Sequence, residues 1–433
     1  MRDAYITTRD EFVEHLQSNT KLNLMVVVTR ECVLRCRYCY ARDPNHRPEN
    51  RMIADDLLEK VISDAFDVRQ RHIDFEWTGG EALLGGRPFF EKVLALQRRH
   101  SRNGKTYSNC VQTSGAIYDE ELYDFLIDNK VTLSLTIDGP RDLHELNRPG
   151  RSAGAFDDIL RSQKYIRARQ GWCGVLCTLT KASAGRFKEI ADFYADNGIP
   201  HWHTNTYICD PGKPVSEEEL GLTPEEVASY FKGQFDYLLE KFSDSFGEGS
   251  LETIMKLLTG VGCGTKCSQG ARCLTNFVSV DDLGNATLCP KFVGYEDFRF
   301  GNIRESAMSD LVSCDNPVLK RLIDERLAAI NDCERSRCAY LSLCKGGCPY
   351  YSYLNGRDGS VARRNVLCKA RYDICEHVDR RLGSYGIKTA TAVSATGGDP
   401  AGADRRSSEQ RRGNVHQQAG WGGVGSAREG PCA

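Results

Sequence analysis

The chain has 433 residues, 40% hydrophobic and 27% charged, and its 57 basic and 59 acidic residues leave a formal net charge of −2. That balance excludes an electrostatically driven binder of nucleic acid or anionic membrane, because affinity for phosphate surfaces comes mainly from clustered Lys and Arg. No run approaches the roughly 18–20 apolar residues of a membrane span, and the opening MRDAYITTRDEF lacks the apolar block of a secretory signal, so a cytoplasmic protein is expected.

Residues 1–21 read as an N-terminal extension. From Leu22 to Thr206 short β-rich runs alternate with amphipathic helical runs. The expected strands are Leu24–Thr29, Ile73–Thr78, Tyr107–Gln112, Thr132–Ile137, Gly174–Leu179 and His201–Thr206. Between them lie helical patterns at Ala54–Arg69, Pro88–Arg99, Asp119–Asn129, Ala155–Arg169 and Phe187–Asp196. Strands separated by helices of this length build βα units around a parallel sheet. The fold expected is α/β, a partial (β/α)6 barrel over 22–242, with its site at the C-terminal ends of the strands. Thr223-Pro-Glu-Glu opens a further helix to Phe242, an N-cap followed by proline at the first helical position.

Beyond residue 243 the character changes. Cys263 to Cys375 holds eleven cysteines in turn-rich pieces with little room for long regular elements, which reads as a small cysteine-rich domain over 243–385 stapled by metal. Residues 386–433, rich in Gly, Ser, Ala, Arg and Gln, cannot bury enough surface to offset their ordering entropy and are expected to be a disordered tail.

The chain carries nineteen cysteines in all. In a reducing compartment, clustered cysteines are more often metal ligands or catalytic thiols than disulfides. Directly after the first strand comes Cys32-Val-Leu-Arg-Cys36-Arg-Tyr-Cys39, a C-x3-C-x2-C triplet. Three thiolates on one loop can hold three irons of a [4Fe–4S] cube and leave the fourth iron open to a chelating ligand. A zinc knuckle would want a fourth ligand, and the nearest histidine, His46, sits in a Pro/Asn/Arg loop.

With Tyr38 before its last cysteine, and with Gly79-Gly80-Glu81 ending the second strand, this triplet resembles the radical S-adenosylmethionine (SAM) enzymes. Gln112-Thr113-Ser114-Gly115 and Thr136-Ile137-Asp138-Gly139-Pro140, followed by His144 and Asn147-Arg148, continue the likeness. The resemblance implies that Cys32, Cys36 and Cys39 hold the SAM-binding cluster. It also implies that Tyr38, Gly79, Gly80, Glu81, Thr136 and Arg148 surround SAM, whose cleavage yields a 5′-deoxyadenosyl radical.

Further on, Cys267, Cys273 and Cys289, then Cys333, Cys338, Cys344 and Cys348, then Cys368, resemble the SPASM domain of radical SAM enzymes acting on peptides and proteins. The resemblance implies two auxiliary [4Fe–4S] clusters, one on Cys267, Cys273, Cys289 and Cys348, the other on Cys333, Cys338, Cys344 and Cys368. Cys263 competes with Cys267, and four residues separate Cys333 from Cys338 where the family often has two. Two zinc sites of four cysteines each are the competing reading. Cys209, after the sixth strand, is a candidate hydrogen-atom donor.

The function expected is radical modification of a ribosomally made peptide by cross-link, thioether, epimerisation or oxidation, with a flavodoxin- or ferredoxin-type reductant. The alternatives are an anaerobic sulfatase-maturing enzyme, to which overall length and the segments 96–100 and 251–254 bear a likeness, or a dehydrogenase or epimerase of a small sugar-like metabolite. Sulfatase maturases carry a proton-accepting Asp after the third auxiliary cysteine, and this chain has Pro290, which cannot take a proton. Asp281 or Asp297 would have to replace it.

Overall fold

Alternation of side chains along the strands builds the frame on which everything else is hung. In this computed structural model residues 8–41, 52–102, 104–152, 154–212, 218–242, 247–260 and 273–389 are described. Six parallel strands, β1 (Lys21–Thr29), β2 (His72–Gly79), β3 (Thr106–Thr113), β4 (Val131–Thr136), β5 (Gly174–Leu179) and β6 (His203–Thr206), lie side by side in chain order. The observed β4 stops one residue before Ile137, and β6 starts at His203, leaving His201 exposed.

α1 (Arg9–Ser18) precedes β1, and on the outer face of the sheet pack α2 (Asp55–Ala65), α3 (Gly86–His100), α4 (Glu120–Asp128), α5 (Arg141–Asn147), α6 (Ala155–Gln170) and α7 (Phe187–Asp196). Phe75 and Trp77 of β2 stack at 5.6 Å on that face, and Phe66 and Phe89 close over them at 6.0 and 6.2 Å. By alternation Asp74, Glu76 and Thr78 of the same strand face the barrel interior. α1 belongs to the segment read above as an extension; Thr8 and Glu11 form a capping box at its start.

α8 (Pro224–Lys241) starts at the expected Thr223 cap, whose hydroxyl accepts from Glu226 N at 3.2 Å. After α9 (Gly249–Leu258), α10 (Cys273–Asn276) leads into β7 (Phe277–Val280), which adds to β1 in parallel and makes a seventh barrel strand. β8 (Asn285–Thr287) and β9 (Arg299–Asn302) then extend the edge in antiparallel sense. The remaining helices are α11 (Met308–Leu311), α12 (Pro317–Arg335), α13 (Leu341–Cys344), α14 (Pro349–Leu354) and α15 (Cys368–Ser384).

Two of these correct the expectation of short pieces between Cys263 and Cys375: α12 has 19 residues and α15 has 17. In α12 the stripe Leu319, Leu322, Ile323, Ala329 and Ile330 is helical in period but interrupted by Arg326, which blurs its amphipathic signal. No helix among the described residues is long and apolar enough to cross a membrane. Cys263, Cys267, His46 and the tail from residue 390 lie outside the described residues.

One buried amide knits the outer layer. Asn109 of β3 accepts from Trp77 Nε1 at 2.9 Å and exchanges hydrogen bonds with the Gln97 amide at 2.8 and 2.9 Å. Asn109→Ala strands a buried indole N–H and a buried amide, and is expected to cost about 3 kcal/mol, read as a lower urea midpoint at unchanged slope.

Candidate active site

The loop after β1 carries the cysteine triplet to the C-terminal mouth of the barrel, and two neighbours hold it. Arg35 N and Arg37 N donate to the carbonyls of Pro149 and Asn147, both at 2.9 Å, and Leu34 bridges to Gly150. On the other side the β2 turn comes against the same loop: Gly80 N donates to Thr29 O at 2.7 Å and Glu81 N to Glu31 O at 2.8 Å. A Cβ on Gly79 would stand 2.3 Å from Thr29 O, and one on Gly80 2.1 Å from Glu31 O. Glycine is required by this approach of two backbones.

Glu81 is fully buried and acts within this junction. Its Oε1 accepts from Thr113 Oγ1 at 2.7 Å and Leu83 N at 3.2 Å, and its Oε2 from Ser114 N at 2.9 Å and the Ser114 hydroxyl. Ser114 is thus a working partner of the glutamate.

Tyr38 turns its hydroxyl inward. It donates to Asp138 Oδ2 at 2.7 Å and accepts from Arg148 Nη1 at 2.8 Å, while Asp138 Oδ1 accepts from Thr178 N at 2.9 Å. Asp138, quoted above only as part of a strand-end motif, joins the cysteine loop to β4 and β5. Arg148 is buried with its Nε unpartnered, and its positive charge favours the thiolate forms of Cys32 and Cys36. Burial works the other way and dominates, pushing the Cys32 thiol up to about 11 and Cys36 to about 12. Thr136 Oγ1 accepts from Gln112 Nε2 at 3.1 Å.

Cys333, Cys338, Cys344 and Cys368 line one cavity together with Arg364, Arg371 and a further thiol, Cys375. The long spacer between Cys333 and Cys338 is explained locally. Cys333 sits on the last turn of α12, Arg337 is left-handed at φ +50°, and Cys338 N returns to Cys333 O at 3.2 Å. Between Cys344 and Cys348, Lys345, Gly346 and Gly347 are all left-handed. Four thiols around one cavity are a donor set suited to an iron–sulfur cube. Cys273, Cys289 and Cys348, expected in the other set, are free thiols and buried or half-buried, and Cys267 lies outside the described residues. Among the described residues no three His, Cys, Asp or Glu side chains converge on a single metal ion.

The carboxylates sort themselves. Asp281 is committed to the β7–β8 turn: its Oδ1 accepts from Leu283 N and Asn285 N at 3.0 and 2.8 Å, and Arg30 approaches its Oδ2 at 3.3 Å. Asp210, just after β6, receives the hydroxyls of Tyr295, at 2.6 Å, and Tyr350, while Tyr351 donates to Thr206 O at 2.6 Å. These tyrosines lace the cysteine-rich half to the barrel mouth. Cys209 is half-buried against Gly221.

Glu76, which the sequence reading missed, faces the interior with its carboxylate making no hydrogen bond among the described residues, and desolvation pushes its pKa up to about 7. The Tyr40 phenol is driven up by burial, with Cys39, Glu76 and Cys289 all adding to the effect. One hydroxyl therefore senses the first thiol loop, the free carboxylate and a thiol of the second group.

A barrel of parallel strands with a three-thiol loop at its mouth, locked by a Gly-Gly-Glu turn, defines a SAM-cleaving iron–sulfur site. Residues 26–194 match the Radical SAM superfamily and form a radical SAM domain, which implies a [4Fe–4S] cluster with SAM; the protein is a radical SAM enzyme. In layout it is similar to anaerobic sulfatase-maturating enzymes. The cysteine-type enzyme of Clostridium perfringens is 25% identical over 361 residues, 81% of this chain and 94% of that protein. The serine-type enzyme of Bacteroides thetaiotaomicron is 24% identical over 370 residues, 80% of this chain and 86% of that protein. The solved structure of native anSMEcpe with bound AdoMet shares the fold at a TM-score of 0.73 and 23% identity, over 84% of this chain and 98% of that one. Streptococcus suis SuiB bound to precursor peptide SuiA shares it at 0.57 and 17% identity, over 81% of this chain and 76% of that one.

Replacing Cys32, Cys36 and Cys39 together by Ala is expected to remove about a third of the iron from anaerobically reconstituted protein, from on the order of 12 Fe per chain. Iron and sulfide analysis checks this; zinc without labile sulfide would contradict it.

Proposed function

We propose that this radical SAM enzyme oxidises a cysteine or serine side chain of a protein or peptide, as an anaerobic sulfatase-maturating enzyme does, and that Glu76 accepts the proton. The observation that carries the reading is the free, interior Glu76 carboxylate, close enough to Tyr40 for its charge to be felt there, as are those of Cys39 and Cys289. The relatives at 24–25% identity over four-fifths of the chain support the substrate class. Cys32, Cys36 and Cys39 would hold a [4Fe–4S] cluster that, charged by a flavodoxin- or ferredoxin-type reductant, would supply reductive cleavage of SAM and so a 5′-deoxyadenosyl radical able to take a hydrogen atom from the substrate Cβ.

The protein's part is to hold that carbon and take the remaining proton and electron. The substrate thiol or hydroxyl gives its proton to Glu76, whose elevated pKa suits a base working near neutrality. Cys267, Cys273, Cys289 and Cys348, and Cys333, Cys338, Cys344 and Cys368, would hold auxiliary iron–sulfur clusters able to accept the one electron that the substrate radical must lose. A carbon–oxygen or carbon–sulfur double bond forms, and a thioaldehyde so made is hydrolysed to the aldehyde. Tyr38 and Asp138 keep the thiol loop in register with β5, and Arg148 supplies positive charge beside it.

A second reading, radical modification of a ribosomally made peptide by another bond, is favoured by Pro290. That residue opens a short buried 3-10 turn directly after Cys289 and offers no titratable group there.

Anaerobic incubation with SAM, dithionite and sulfatase-motif peptides carrying Cys or Ser separates the two by mass spectrometry. Formylglycine is the expected product; none, with turnover of a precursor peptide encoded beside the gene, would establish the second reading.

Glu76→Gln is expected to keep substrate-dependent 5′-deoxyadenosine formation while lowering product about 10²-fold or more. Because Glu76 works deprotonated and its pKa is raised, wild-type product formation should rise as pH passes upward through about 7, and this limb should vanish in the Gln variant.

A further inference from the structure

We propose that Arg326 is a shared counter-charge for both auxiliary cluster sites, raising the reduction potential of each. The proposal rests on the assignment of two auxiliary clusters made above. Arg326 occupies a core position of α12, in helical step with Leu319, Leu322, Ile323, Ala329, Ile330 and Cys333, and is 1% exposed. A guanidinium there loses its water and needs compensation. Among the described residues no carboxylate pairs with it. Nη2 donates to Lys345 O at 2.9 Å and to Gly347 O, Nη1 reaches Ser352 Oγ at 3.5 Å, and Nε is buried without a partner.

Those two carbonyls belong to the left-handed loop between Cys344, assigned to one cluster, and Cys348, assigned to the other. The loop folds directly over the guanidinium: a Cβ on Gly346 would stand 2.7 Å from Arg326 Nη2. Cys273 and Cys348 of one set and Cys333 and Cys344 of the other lie near enough that, as thiolates, their charge would favour the guanidinium. Four-thiolate iron–sulfur clusters are net negative and become more so on reduction. A fixed buried cation between them therefore lowers the cost of assembling each and favours its reduced form, which suits sites that must accept an electron from a substrate radical.

The test uses full-length protein reconstituted anaerobically, with iron and sulfide counted and EPR-monitored redox titration of wild type, Arg326→Met and Arg326→Lys. Met removes the charge at similar volume; Lys keeps a charge and loses the planar fork. The expected result is that R326M shifts both auxiliary clusters to lower potential by about tenfold in the reduction equilibrium, ~59 mV for one electron. R326K should shift them by less than half as much, and the SAM-binding cluster should stay unmoved in both. Should R326M load neither auxiliary site while R326K loads both, the need for charge is established by iron content alone. A shift of only one auxiliary cluster, no shift, or equal iron loss in R326M and R326K would overturn the proposal. Wild-type protein with about four irons would instead overturn the auxiliary-cluster assignment, a result distinguishable before any variant is made.

Discussion

The architecture of the mouth depends on how closely two backbones can approach. The loop bearing Cys32, Cys36 and Cys39 has little regular structure of its own, and its shape is imposed by carbonyl and N–H groups of its neighbours. At Gly79 and Gly80 the β2 turn comes within hydrogen-bonding reach of Thr29 and Glu31, at distances no side chain would permit. The glutamate that follows reaches the other way, to Thr113 and Ser114 at the end of β3. Three consecutive strand ends are thereby fixed to one another, and the thiol loop is fixed to all of them. Preorganised thiols can then receive a cluster without a further ordering cost.

Electrostatics follows the same geography. Each group of thiols described here lies beside a buried arginine with an unpartnered Nε, Arg148 near Cys32 and Cys36, Arg326 among Cys273, Cys333, Cys344 and Cys348. Burial raises the pKa of Cys32, Cys36 and Cys333, so forming those thiolates is costly in the protein alone, and buried cations offset part of that cost where cluster assembly displaces the protons. On the interior face of β2, Glu76 makes no hydrogen bond among the described residues, while its strand neighbour Asp74 is paired with Lys21 and His72.

What the sequence disclosed was whatever is local. The C-x3-C-x2-C triplet, the Gly-Gly-Glu turn, the Thr223 cap and the period-two strands all express themselves within a dozen residues. β7 was not legible, because a four-residue strand is recognised only by its partner β1, more than 240 residues earlier. α12 was obscured by the arginine on its buried face, and that side chain makes sense only beside cysteines from distant segments. Glu76 was read as part of a strand, since nothing in its neighbourhood along the chain distinguishes an inward carboxylate with partners from one without. Tyr38 and Glu81, expected beside SAM, have partners within the protein, Asp138 and Ser114, both quoted in motifs without a task.

The central claim is that three thiols at the barrel mouth hold a cluster with one iron open to SAM. Mössbauer spectroscopy of 57Fe-reconstituted protein, before and after SAM is added, tests it directly. Addition of SAM should split out a single iron site with the larger isomer shift of a non-thiolate ligand, drawn from one cluster, and Cys36→Ala should abolish that change. Spectra indifferent to SAM, or a SAM-dependent change that survives Cys36→Ala, would contradict it.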